Sequence, residues 1–172
     1  TVKGNVIFKN SINIGGTWNI EHIYDSWFEF DSSDDFISNH LINNIIALTH
    51  DDIVNHVHFE ANRVYWFERP KVGPYNEGDF IKPDYWKVYL NEDNIIFSVK
   101  SNTHFIIDNE LRMLGTSYGA YFIFYIKDKQ NVSFTGKGLI YGDTEFHKSM
   151  PYTTGIPPFY GEWGHIFNIR GG

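Results

Sequence analysis

Apolar and polar residues alternate most cleanly between Val54 and Arg69, and that stretch predicts a β-hairpin. With Ala61-Asn62 as a two-residue turn, Phe59 faces Val64, His58 faces Tyr65, Val57 faces Trp66 and His56 faces Phe67. One face of the hairpin then carries Val57, Phe59, Val64 and Trp66. The other carries His56, His58, Glu60, Arg63, Tyr65 and Phe67. Asn62 suits the positive φ of such a turn, whereas Ala61 does not.

The remaining pattern is also extended for the most part. Val2 to Trp18 reads as very short β segments punctuated by Gly and Asn, and Ile20 to Phe30 as a strand ending near Asp31. A helix is predicted from about Asp34 to Leu48: Ser32-Ser33-Asp34-Asp35 supplies capping residues ahead of Ile37, Leu41, Ile45 and Leu48 at helical spacing. β-Branched Ile and the group Asn39, Asn43, Asn44 lower the helix propensity, which leaves a strand pair as the alternative. Pro70 to Asp79 is a loop. Tyr85 to Leu90, Ile95 to Val99 and His104 to Ile107 predict a meander, and Tyr118 to Ile126 with Val132 to Tyr141 a second hairpin. Gly142 to Phe159 is loop-like and Gly161 to Ile169 supplies the last strand. With no evident repeat of twenty to fifty residues, the strand spacing predicts a mostly β, antiparallel β-sandwich or jelly-roll-like domain with one short helix near residues 34–48. Residues 1–18 form a short N-terminal β segment suited to oligomerisation, and residues 19–172 a single head domain.

Composition narrows the partners. Aromatic residues make up 18% of the 172 residues, with 15 Phe, 11 Tyr and 5 Trp, enough to fill a β core and leave rings for a binding surface. The net charge of −7 and the lack of a basic run argue against nucleic acid and anionic membrane surfaces. The chain has no cysteine, so thiolate metal sites and disulfides are excluded. No apolar run approaches the ~18 residues of a membrane span. The chain begins at Thr1 without a methionine, as an excised or processed piece of a longer protein would.

Three groups of residues carry candidate chemistry. His56 and His58, two apart on a strand, point the same way and are candidate ligands for a divalent metal, with Glu60 and His50 nearby; hydrogen-bonded surface histidines are the alternative. Glu29 and Asp31 share a face, as the paired carboxylates of a retaining glycosidase would. Their run, Glu29-Phe30-Asp31-Ser32-Ser33-Asp34, resembles the Glu-x-Asp-x-x-Glu signature of β-jelly-roll glucanases, with Asp34 in place of the final Glu. Finally, Tyr75, Asn76, Tyr85, Trp86, Tyr160 and Trp163, with Tyr152, are loop aromatics and amides of the kind that bind sugar faces and hydroxyls. Asn131-Val132-Ser133 matches a glycosylation acceptor. No nucleophile elbow or phosphate-cradling loop is present.

Val2-Lys3-Gly4-Asn5-Val6-Ile7-Phe8 with Ile12-Asn13-Ile14-Gly15-Gly16 is similar to the short shaft strands of phage tail-fibre and receptor-binding proteins. Tyr160-Gly161-Glu162-Trp163-Gly164-His165-Ile166-Phe167 resembles the Trp-Gly strands that end their heads. The resemblance implies a homotrimeric attachment protein, in the virion tail or extracellular, that binds a surface glycan or protein receptor without catalysis. It would also map a shared-axis metal onto His56 and His58. A carbohydrate-binding module of a larger enzyme and a glycan-cleaving enzyme using Glu29 and Asp31 are the competing expectations.

Overall fold

The computed structural model describes residues 7–9, 14–29, 38–60, 63–68, 95–114, 121–143 and 164–171. Within them lie β1 (His22–Tyr24), helix α1 (Asn39–Ala47), β2 (Asn55–Phe59), β3 (Val64–Phe67), β4 (Ile95–Ser98) and β5 (Thr103–Ile107). The remaining strands are β6 (Glu110–Met113), β7 (Tyr121–Lys127), β8 (Ser133–Thr135), β9 (Leu139–Tyr141) and β10 (Gly164–Arg170). A single 3-10 turn, Asp25–Trp27, follows β1.

Among the described strands, only β1 and β2 are consecutive neighbours that pair, and they pair in parallel; from β2 onward each strand pairs with those three places before or after it. The strands form three sheets ordered β1-β2-β5-β8, β3-β6-β9 and β10-β7-β4, and all their ladders are parallel. The chain lays β2, β3 and β4 on three faces in turn, then stacks β5, β6 and β7 on them, then β8, β9 and β10. This is a parallel β-helix. The antiparallel sandwich or jelly roll, both hairpins and the pairing of Ile95–Val99 with His104–Ile107 in the expected meander are therefore overturned. β4, β5 and β7 fall where strands were expected, but β6 (Glu110–Met113) was not expected, the strand expected over Ile20 to Phe30 is only β1 and a 3-10 turn, and Tyr85 to Leu90 lies outside the described residues. The pairing was misassigned because alternation has the same period of two in a hairpin and in a stacked coil.

The segment from Val54 to Arg69 shows the difference. Val57 and Phe59 are buried as expected, but in β3 the buried residues are Tyr65 and Phe67, while Val64 is exposed and Trp66 half-buried. A hairpin would have carried the face assignment across the turn. Here the chain turns a corner into another sheet, which resets which parity points inward. Val132 to Tyr141 divides likewise into β8 and β9 at Gly136-Lys137-Gly138. Gly138 sits so close to the neighbouring coil that a Cβ would collide with Asn109 O. Gly136 adopts φ 119°. At another corner Asn102 and Asn131 both have φ 55°, and the Asn131 amide donates to Asn102 Oδ1 at 2.8 Å. Asparagine tolerates the left-handed conformation and its amide satisfies the neighbouring coil.

The core is the interior of the coils. Phe97, Phe105 and Phe124 are fully buried. Phe105 stacks on Phe134 with ring centroids 4.8 Å apart, and Phe124 on Phe167 at 5.7 Å. β7 is buried from Tyr121 to Ile126 on both faces, the covering expected of a strand inside a parallel sheet. The predicted helix is present over Asn39–Ala47, with Leu41, Ile45 and Leu48 buried. It packs against β4 and is tied to the end of β3 by Ser38 N–H donating to Trp66 O at 2.7 Å. Asn39 accepts from Glu68 N–H at 2.9 Å. Phe8, Ile14, Trp18 and Ile20 are partly buried against the same core.

Candidate functional site

Parallel stacking brings residues of like position into columns up each outer face, about 4.8 Å apart. On the β1-β2-β5-β8 face, His22, His56, His104 and Ser133 form one column, and Tyr24, His58, Ile106 and Thr135 the next. The His22 and His56 rings stack at 5.0 Å, His56 and His104 lie 5.2 Å apart, and His58 stacks on Tyr24 at 4.4 Å. His22 Nδ1 and His58 Nε2 are hydrogen-bonded at 3.1 Å, and His104 Nδ1 is bonded to Ser133 Oγ at 2.7 Å. Burial lowers the His58 pKa, and the neighbouring charges of His22 and His56 add to the effect. Thus His58 is oriented by His22 across the ladder. Among the described residues no group of three or more His, Asp or Glu converges as a metal cluster.

The β3-β6-β9 face is aromatic. Its columns are Val64, Glu110, Leu139 and Trp66, Arg112, Tyr141. The Arg112 guanidinium lies 5.5 Å from the Trp66 ring centre and 4.6 Å from that of Tyr141, while Arg112 Nη2 pairs with Glu110 Oε2 at 2.6 Å. Val64, Leu139 and Tyr141 are exposed. Such a surface offers flat apolar rings, a fork of N–H donors and a carboxylate acceptor in one ladder.

The third face, beside α1, carries an open cleft of about 500 Å³ lined by Asn43, Ile96, Val99, Tyr125, Lys127 and Lys129 among others. Its Lys129 is paired with Asp51 at 2.9 Å.

A buried polar strut lies inside the corner between the first two faces. Asp25 Oδ2 accepts from Tyr65 Oη at 2.6 Å, Glu60 N–H at 3.1 Å and Asn109 Nδ2 at 3.3 Å. Burial raises the Asp25 pKa, opposed by the Tyr65 hydrogen bond and the Arg63 charge. Burial also raises the Tyr65 pKa, reinforced by the Asp25 carboxylate. Asp25 Oδ1 and Asn109 Oδ1 are buried without hydrogen-bond partners, so the three donors of the strut all converge on the other Asp25 oxygen.

Of the sequence-predicted residues, His56 and His58 lie on one outward face, with His22 and His104 beside them. Tyr75, Asn76, Tyr85, Trp86, Tyr152, Tyr160 and Trp163 lie outside the described residues, as does Asp31. Glu29 is exposed, and its backbone N–H donates to Phe8 O at 2.7 Å. Sequence reasoning missed His22, His104 and the Trp66-Arg112-Tyr141 ladder. The signal lay in matched triplets, His22-Ile23-Tyr24, His56-Val57-His58, His104-Phe105-Ile106 and Ser133-Phe134-Thr135, each a core residue between two outward ones. No family model, curated protein or solved structure matches the chain.

Proposed function

We propose that this chain is a non-catalytic attachment domain that recognises cell-surface carbohydrate through the outer face of β3, β6 and β9. The observation that carries the reading is the outward ladder of half-buried Trp66, half-buried Arg112 and exposed Tyr141, with Glu110 beside it. Sugar rings have apolar faces that pack on aromatic carbons and hydroxyl edges that bond to guanidinium and carboxylate groups. The β-helix supplies rigidity, since each ladder residue is held by strand pairing to the neighbouring coil. This face is favoured over the cleft beside α1 because it sets two aromatic rings, Trp66 and Tyr141, on either side of a guanidinium in one ladder, whereas the cleft lining includes a single aromatic ring, Tyr125.

The likeness of the chain ends to tail-fibre segments supports a setting on a virion or outside the cell, as a homotrimer; light scattering of the purified chain tests that state. The recognition itself is tested on a glycan array, followed by titration of the best ligand. Trp66→Ala and Tyr141→Ala are each expected to weaken binding at least tenfold, roughly 1.4 kcal/mol, with melting still cooperative. Undiminished binding by both variants, or no glycan bound by the wild type, overturns the proposal.

A further inference from the structure

We infer that His22 Nδ1 and His58 Nε2 form a two-imidazole site for a late first-row divalent metal ion, with Cu(II) the ion whose geometry it fits best. The inference is independent of the glycan reading, because the two histidines lie on a different face. Two nitrogens 3.1 Å apart, each about 2.0–2.1 Å from an ion, subtend roughly 98° at it. That angle suits neighbouring positions of a tetragonal centre better than the wider tetrahedral angle.

Several neighbours prepare the pair. His22 Nε2 stands 3.7 Å from Glu21 Oε1, beyond hydrogen-bond reach; the carboxylate's charge attracts the ring proton toward Nε2 and away from Nδ1. His56 stacks on His22 at 5.0 Å and Tyr24 on His58 at 4.4 Å, which restricts both rings. The His22 side chain is 47% exposed, so water can complete the coordination and the ion has a path in. Each neutral ring keeps its single proton on binding. The proton shared between the two nitrogens in the metal-free pair moves to the outer nitrogen of its own ring, and both lone pairs then face the ion.

The test is titration of the untagged full chain with Cu(II) at pH 7.5 by calorimetry, with electron paramagnetic resonance of the loaded protein. The expected result is one equivalent bearing two imidazole nitrogens. His22→Gln and His58→Gln should each lose at least tenfold in affinity, and His104→Gln should stay within twofold of wild type. Wild-type affinity in the first two variants, or an equal loss in His104→Gln, overturns the site. Should either variant fail to fold, Zn(II) added to the wild-type chain provides the same decision by histidine NMR. Shifts centred on His22 and His58 support the pair, and shifts centred on other histidines overturn it.

Discussion

Tyr65→Phe removes one oxygen from the interior and tests whether the Asp25 strut ties the coils together. Tyr65 and Asp25 are both fully buried, and the hydroxyl donates to Asp25 Oδ2 at 2.6 Å. A short hydrogen bond to a buried carboxyl group is worth about 1.5–3 kcal/mol, because the acceptor left behind finds no water. For a chain of this size that corresponds to a fall in Tm of about 3–12 °C. The loss should depend on pH. Burial raises the Asp25 pKa above 3.8 in the folded chain, so the folded state holds the proton more tightly than the unfolded state. The stability from this group is therefore full below 3.8 and declines as pH rises through the folded pKa. The Tyr65 hydroxyl opposes that rise by bonding the charged form. Without it, the folded pKa climbs further and the penalty at neutral pH grows. Thermal unfolding of wild type and variant at pH 7 and pH 4 measures both effects. A deficit below about 0.5 kcal/mol, or one of equal size at the two pH values, refutes the role assigned to the strut.

Other expectations concern the coils and their outer face. Gly138→Ala drives a Cβ into Asn109 O and should destabilise by about 2 kcal/mol or more, read as a lower urea midpoint with unchanged slope. Phe124→Ala empties a fully buried position between Phe97 and Phe105 and should cost about 3–5 kcal/mol by the same assay. The depressed folded pKa of His58 gives stability that is full above the unfolded value of 6.5 and lost as pH falls below it, with His22, His56, Glu60 and Asp108 the charges acting on it. Melting curves between pH 7.5 and 5.5 should accordingly flatten in His58→Gln, and an unchanged slope would contradict this assignment.

Much of the local structure was legible in the sequence. Ile45 and Leu48 announced the buried side of α1, and alternation in β2 correctly sent Val57 and Phe59 inward and His56 and His58 outward. The six-residue apolar run from Tyr121 to Ile126 even carried the sign of a parallel sheet, since a strand covered on both faces has no reason to alternate. Reading it as half of a hairpin discarded that sign. The repeat was hidden because the coils differ in length. His56 pairs with His104, whereas His104 pairs with Ser133, so equivalent positions recur at no fixed interval and self-similarity fades.

By itself, the sequence determined an aromatic-rich, acidic chain that must bury strands with a period of two and one amphipathic helix, because those properties follow from side chains and local backbone geometry. Only the tertiary structure decided that His22 would meet His58, that Arg112 would lie between Trp66 and Tyr141, and that Asp25, Tyr65 and Asn109 would share one buried corner. The reason is register. Strand alternation states which side a residue faces, but its neighbour on that side is set by how the corners turn and how many residues each coil spends returning to the same face.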